Sequence, residues 1–390
     1  QLYVEKKSDK ILFKQAISGL LEQLDPHSIY LDEKDLAEFD RYTNGQYVGV
    51  GMEITSEKGT PKIVAPLDDS PAKKAGLRTG DYILAVNKKT VAGLSLMKVI
   101  KKIKGKPGTT VSITVANKTD KKPKTFTMTR ERIKVAHIKQ RLLPDGFGYI
   151  RIGQFQENTG KQFISAIKSL KKSAGKKLNG IVIDLRSNPG GLLDSSVEVV
   201  DALIDSNLPK HKKNKKIVYT KSRIKHADFT INAKPGDILN GAPVIVLVNG
   251  GSASGSEIVA GALQDHKRGL VIGQTTFGKG SVQTLLPLTD RDAVKLTTAL
   301  YYTPIGRSIQ AKGIKPDILV EQLDIKKTDT DVFAFLNISE KDLQGHLENG
   351  KKSSAKKQNI KPVSPNKDYQ LYQAFILLKA MALQKAQYAS

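Results

Sequence analysis

Two apolar runs, Gly180-Ile181-Val182-Ile183-Asp184-Leu185 and Pro243-Val244-Ile245-Val246-Leu247-Val248, constrain the fold more than any other feature of this chain. Neither alternates polar with apolar residues, so neither suits a strand with one wet face. Such runs belong to parallel strands buried on both sides. Each ends in a glycine-rich loop, Arg186-Ser187-Asn188-Pro189-Gly190-Gly191 and Asn249-Gly250-Gly251-Ser252-Ala253-Ser254-Gly255. Each loop leads into a helical segment, near Leu193 to Ile204 and over Ser256 to Leu263. Phe147 to Ile152 and Gly269 to Ile272 read as further strands, and Thr159 to Lys172 as a helix with Phe163, Ile164, Ile167 and Leu170 on one face. Ser281 to Leu288 and Ala293 to Tyr302 read as an antiparallel pair. Strands alternating with helices predict an α/β core, a central sheet with helices packed on its faces.

Functional groups in such sheets gather at the carboxyl ends of the strands, where both glycine-rich loops lie. Ser252, Ser254 and Ser256 all sit in or beside the second loop. Small residues at a strand-to-helix junction often only cap the helix. A serine hydroxyl there becomes a nucleophile once a base takes its proton, and a neutral lysine amine can be that base. Lys279, between Gly278 and Gly280, follows 25 residues after Ser254. The N–H of Gly255, with that of Gly190 or Gly191, can form an oxyanion hole, where losing one donor costs about 3 kcal/mol of transition-state stabilisation.

A lysine base must be uncharged. A free lysine is roughly one part in a few thousand neutral at pH 7, and making half of it neutral costs about 4 kcal/mol. Burial without a carboxylate partner supplies this. Thr275-Thr276-Phe277-Gly278 and Ser281-Val282 carry no acid, so Lys279 is expected to have none beside it. A surface lysine in a turn is the plainer alternative. A serine–histidine–aspartate site finds no support. Of the six histidines, His266 ends the helix after Ser254, His211 and His226 lie in a basic insertion, and none occupies a glycine-rich strand-end loop. No His, Asp or Glu cluster has metal-ligand spacing, so neither a metal nor another cofactor is expected.

The chain divides into four parts. Residues 1–45 are helical, with an apolar face over Lys10 to Leu24, a stop at Asp25-Pro26 and a second helix beginning near Leu31-Asp32. That pair has little core of its own and is expected to pack on the main body or on another subunit. Residues 46–133 form a small β-rich domain. Its strands are expected around Val48 to Ile54, Lys62 to Ala65, Tyr82 to Val86, Val111 to Ala116 and Thr125 to Arg130. A short helix starts at Pro71 and ends at Gly76, and a second runs over Leu94 to Ile103. Residues 134–325 are the α/β core. Residues 326–390 hold an amphipathic segment, Ile338 to Asn349, a lysine-rich linker over 349–365, and a helix over Tyr369 to Leu383. That helix carries a broad apolar stripe, to be buried on its own domain or on a partner.

Composition narrows the partners. There are no cysteines, which excludes disulfides and thiolate chemistry. No apolar run reaches the length of a transmembrane helix. No signal peptide is visible, though the chain does not begin with Met, which leaves a removed export signal open. Net charge is +25, a field that attracts acidic partners. Its densest runs, Lys210 to Lys216 and Lys351 to Lys357, lack the interleaved aromatics that stack on bases. They read as solvated loops, and no specific nucleic-acid binding is expected.

The run Pro71-Ala72-Lys73-Lys74-Ala75-Gly76-Leu77-Arg78-Thr79-Gly80-Asp81, with the order of elements around it, resembles a circularly permuted bacterial PDZ domain. The resemblance implies that Gly49, Val50, Gly51 and Met52 bind the C-terminal carboxylate of a peptide. Asp184 to Gly191, Gly251 to Ile258 and Phe277-Gly278-Lys279-Gly280-Ser281-Val282-Gln283 together resemble the carboxy-terminal processing proteases, or tail-specific proteases. Asp25-Pro26-His27-Ser28-Ile29-Tyr30-Leu31 and Tyr302 to Gln310 match as well. By that resemblance Ser254 is the nucleophile, Lys279 the base and Gln283 the residue that orients it. Gly255 stands where alanine is usual. The implied protein is a serine endopeptidase that cuts protein substrates with free C-termini through an acyl-enzyme, gated by its PDZ domain. It would be exported to the periplasm or cell envelope and homo-oligomeric. An activating adaptor protein stays open, and the alternative is an inert or resting PDZ scaffold that needs a partner.

Overall fold

The computed structural model describes residues 4–387 apart from 44–46, 58, 95, 118–121, 134–137, 176, 209–213, 225–226, 324–362 and 366. The expected segment Ile338 to Asn349 and most of the lysine-rich linker lie outside the described residues.

The N-terminal part is helix α1 (Asp9–Glu22), strand β1 (Ile29–Leu31) and helix α2 (Glu33–Thr43). Only Leu21 of α1 is buried, while Phe13 and Leu20 are 70% and 63% exposed. The short strand β1 was not anticipated. Asp25 creates it by turning the chain: its Oδ1 accepts from the N–H of His27 and Ser28, at 2.7 and 2.9 Å, and its Oδ2 accepts from Ser28 Oγ at 2.6 Å.

The small domain holds β2 (Tyr47–Gly49), β3 (Met52–Glu57), β4 (Thr60–Pro66), α3 (Pro71–Ala75), β5 (Tyr82–Val86), β6 (Lys89–Thr90), α4 (Leu96–Ile103), β7 (Thr110–Ala116), β8 (Lys124–Thr129) and β9 (Glu131–Ile133). Its sheet runs β3-β4-β5-β7-β8, with β6 on β5, and β2 pairs with β9 as a separate ribbon. Helix α3 forms for local reasons. Ser70 Oγ accepts from Lys73 N at 3.1 Å, Pro71 needs no N–H partner, and Gly76 closes the helix at φ 98°.

The core contains β10 (Ile138–Leu143), β11 (Phe147–Ile152), α5 (Thr159–Ser173), β12 (Gly180–Asp184), α6 (Leu193–Asp201), β13 (Lys216–Ser222), β14 (Thr230–Asn232), β15 (Val244–Val248), α7 (Gly255–Asp265), β16 (Leu270–Gly273), β17 (Ser281–Thr289), β18 (Asp292–Tyr302) and β19 (Ile318–Leu319). The central sheet runs β10-β11-β12-β15-β16-β19 and is parallel from β11 onward. Every residue of β12 and β15 is buried, each large aliphatic side chain contributing about 1.5–3 kcal/mol. Ile181, Ile183, Val244 and Val246 face a cluster with α5, α6 and α7. Val182, Ile245 and Leu247 face the other way, onto helix α8 (Tyr369–Gln387), which buries Leu371, Ala374 and Leu378 there. The C-terminal helix therefore covers its own sheet. A second sheet, β1-β18-β13-β14 with β17 also on β18, carries the chain away from the parallel strands.

Candidate active site

Ser254 stands where the second glycine-rich loop becomes α7. Its backbone lies at φ 51°, ψ −113°, a region a serine enters only when its surroundings force it. The forcing comes from hydrogen bonds between the two loops. Asn249 Oδ1 accepts from Ser187 N at 2.7 Å, and Ala253 N donates to Asn188 O at 2.9 Å. Ser252 Oγ donates to Leu185 O at 2.7 Å and Ser256 Oγ to Asn188 O at 2.9 Å. Ser252 and Ser256 are fully buried with committed hydroxyls, while Ser254 is partly exposed.

Glycine is required where the loops meet. A Cβ on Gly190 would lie 2.7 Å from the Ser254 Cβ and 2.9 Å from Gly255 N. The Gly190 N–H donates to Asn188 Oδ1 at 2.8 Å. No hydrogen bond among the described residues takes up the N–H of Gly191 or of Gly255 at the first position of α7.

Glu257 joins the serine to the lysine. Its Oε2 accepts the backbone N–H of Ser254 and of Lys279, each at 2.8 Å. Its Oε1 accepts Gly278 N at 2.7 Å and Thr276 Oγ1 at 2.6 Å. This residue is fully buried, and the sequence signal that marks it is a serine with glutamate three positions on, a helix-start signature.

The Lys279 side chain reaches a carboxylate, contrary to expectation. Its Nζ lies 3.9 Å from Oε1 of Glu53, on β3 of the small domain. No local sequence signal could reveal this acid, because the fold brings it from another domain. No hydrogen bond joins Ser254 Oγ to Lys279 Nζ among the described residues. Gln283 Nε2 donates to Ser281 Oγ at 2.9 Å and to Thr297 Oγ1 at 3.4 Å.

Glu53 and Lys279 share a pocket. One wall is the groove between β3 and α4, with Ile54, Leu96 and Ile100, and the other includes His27, Phe277 and Lys295. Burial pushes the Glu53 carboxyl up, against the pull of Lys279 and Lys295. Burial and the Lys279 ammonium push His27 down to about 4. The same two causes bring Lys295 down to about 8, despite Glu53 and Asp25. His27 arrives there through the Asp25 turn, which is fastened to β18 by the Thr297 N–H donating to Ser28 Oγ at 3.1 Å. The small domain also touches the serine loop: a Cβ on Gly251 would lie 2.7 Å from Thr79 Oγ1 and 3.2 Å from Val64 O.

The segment Gly49 to Met52 stands at the start of β3, beside Glu53. Its Val50 O accepts from Ala72 N at 2.8 Å and its Gly51 O from Leu67 N at 2.9 Å, with Gly51 at φ 74°. His266 ends α7, its Nε2 2.7 Å from Lys216 O, so it fastens the start of β13. Among the described residues, no group of His, Asp or Glu could hold a metal ion, and no helix is long and apolar enough to cross a membrane.

Residues 146–320 match peptidase family S41, and residues 62–117 match the PDZ domain. A carboxy-terminal-processing protease of Bartonella bacilliformis is 43% identical over 97% of this chain and 85% of its own length. The carboxy-terminal processing protease CtpB of Bacillus subtilis is 35% identical over 83% of this chain and 65% of its own. Among solved structures, a photosystem II D1 C-terminal processing protease superposes with a TM-score of 0.70 at 32% identity, covering 82% of this chain and 84% of that one.

Proposed function

The chain belongs to peptidase family S41, the carboxy-terminal processing serine proteases, and we propose that it cleaves protein substrates near their C-termini with Ser254 as nucleophile and Lys279 as base. The observation that carries this reading is the shared Glu257 carboxylate, which holds the backbones of Ser254 and Lys279 to one oxygen, with Gly190 packed against Ser254. In the reacting form, neutral Lys279 Nζ takes the Ser254 Oγ proton as Oγ bonds to the scissile carbonyl carbon. The N–H groups of Gly255 and Gly191 receive the oxyanion. Collapse breaks the C–N bond, and the Lys279 ammonium returns its proton to the leaving amine. Water then hydrolyses the acyl-enzyme ester by the same route. The Gly190 N–H is already engaged by Asn188, so its part is to leave room beside the serine.

The 3.9 Å pair of Lys279 with Glu53 supports a gated enzyme. The carboxylate holds the Lys279 amine to the small domain, and no hydrogen bond among the described residues joins that amine to Ser254 Oγ. Peptide binding along β3 would compete with this contact and free the lysine. On this reading Gln283, whose amide nitrogen donates to Ser281 and Thr297 in the paired state, would turn to orient the released amine. Action in the cell envelope, on tails presented there, fits the family.

The test is cleavage of an unfolded protein such as casein. Lys279→Ala and Ser254→Ala should each abolish it with the thermal midpoint kept. Turnover retained in either variant refutes the dyad.

A further inference from the structure

The C-terminal helix reaches into this site through one ion pair. Arg186 opens the first glycine-rich loop, and its side chain is only 15% exposed. Its guanidinium is fully subscribed: Nε and Nη2 donate to Asp184 at 3.0 and 2.6 Å, and Nη1 and Nη2 to Asp368 at 2.8 and 2.7 Å. Nη1 also donates to Gln370 Oε1 at 3.1 Å. Asp368 immediately precedes α8 and caps it, accepting from Leu371 N at 3.0 Å. Burial opposes ionisation of Asp184, yet Arg186 and Arg151 hold its carboxyl well below the usual carboxylate range.

The residues flanking Arg186 hold the serine loop in place. Leu185 O receives Ser252 Oγ, and Asn188 O receives both Ala253 N and Ser256 Oγ. Ser187 lies at φ 54°, so this segment is strained as Ser254 is. Strained backbone keeps its form only where its surroundings over-determine it. Asp184 fixes Arg186 from the strand side. The other bidentate anchor comes from beyond the core sequence, across residues 324–362.

We propose that Asp368 is a positioning residue for catalysis, acting through Arg186 to hold the segment 185–188 that aims Ser254 and the oxyanion glycines. The proposal rests on the Ser254–Lys279 reading of the site. It makes α8 part of the catalytic apparatus as well as a cover for the sheet.

The experiment compares full-length wild type, Asp368→Asn and Asp368→Glu on one unstructured fluorogenic peptide, with thermal midpoints measured alongside. Asp368→Asn should lower kcat at least about tenfold, because small displacements of reacting groups are magnified in rate. KM should stay within about twofold, since neither Asp368 nor Arg186 belongs to the peptide groove. Asp368→Glu, which retains a bidentate acceptor, should recover most of kcat. Arg186→Lys keeps the charge but loses the fork, and should reproduce the kcat loss even if Asp368→Asn folds poorly. Unchanged kcat in folded Asp368→Asn or in Arg186→Lys overturns the proposal, as does a lowered thermal midpoint with kcat intact. Turnover surviving in Lys279→Ala would refute the dyad instead, whatever the Asp368 variants do.

Discussion

The backbone N–H groups of Ser254 and Lys279 converge on one oxygen, Oε2 of Glu257, each at 2.8 Å. The relationship fixes the proposed nucleophile and base to a common reference although they lie 25 positions apart. Thr276 and Gly278 complete the arrangement on the other oxygen. Four donors on one buried carboxylate leave no lone pair to spare.

Glu257→Gln follows directly from that. An amide keeps the shape but replaces one acceptor oxygen with a donor, which then faces either the N–H groups of Ser254 and Lys279 or the Gly278 N–H and the Thr276 hydroxyl. Leaving buried donors unpaired costs about 1–3 kcal/mol. Displacing the loops should also lower kcat about a hundredfold, as misplacement of reacting groups does. Thermal unfolding and steady-state kinetics check both. Unchanged kcat would show that the loops hold their positions without this carboxylate.

Glu53→Gln should move activity the other way. It removes the negative charge 3.9 Å from Lys279 and leaves the groove its size. Basal kcat/KM on a short peptide should rise severalfold, and casein cleavage with it. Lower or unchanged activity would mean that Glu53 does not restrain the base.

The two apolar runs disclosed the central sheet because a strand buried on both faces has few other readings. Strand β11 and strand β5 fall where the periodicity put them. The Ser254 loop and the Gly278-Lys279-Gly280 turn stand out because glycine-rich loops are a local signal, while the choice of Ser254 and Lys279 within them comes from the family resemblance. Glu53 and Asp368 were not legible. Each reaches these loops through packing of one segment on another, and nothing near either residue marks it as a neighbour of the glycine-rich loops. Strand β1 was missed for a related reason. Three residues carry no usable period, and its existence depends on pairing with β18.

Gly190→Ala should inactivate the enzyme. The added methyl would sit 2.7 Å from the Ser254 Cβ, at a backbone φ of 101° that alanine resists. Both effects act on the serine rather than on the sheet below it. Activity should fall about a hundredfold or more, by the same sensitivity to misplacement, while circular dichroism stays native. Near-normal turnover would show that the loops separate enough to admit a side chain.

The pocket beside Lys279 should also shape stability against pH. His27 falls from 6.5 to about 4 on folding. Between those values the unfolded chain holds a proton that the native protein lacks, so acidification favours unfolding. The loss begins below pH 6.5 and is complete near pH 4. Lys295 falls from 10.5 to about 8. Stability therefore rises with pH from about 8 to 10.5, and the penalty of its buried charge is fully present below 8. The groups that set both values are Lys279, Asp25, Glu53 and the two residues themselves. His27→Gln should flatten the acid limb of the unfolding free energy by about 3 kcal/mol. Lys295→Met should remove the alkaline rise and leave the acid limb in place. Denaturant titrations from pH 4 to 10.5 read both limbs, and an acid limb unchanged in His27→Gln would locate the acid-sensitive group outside this pocket.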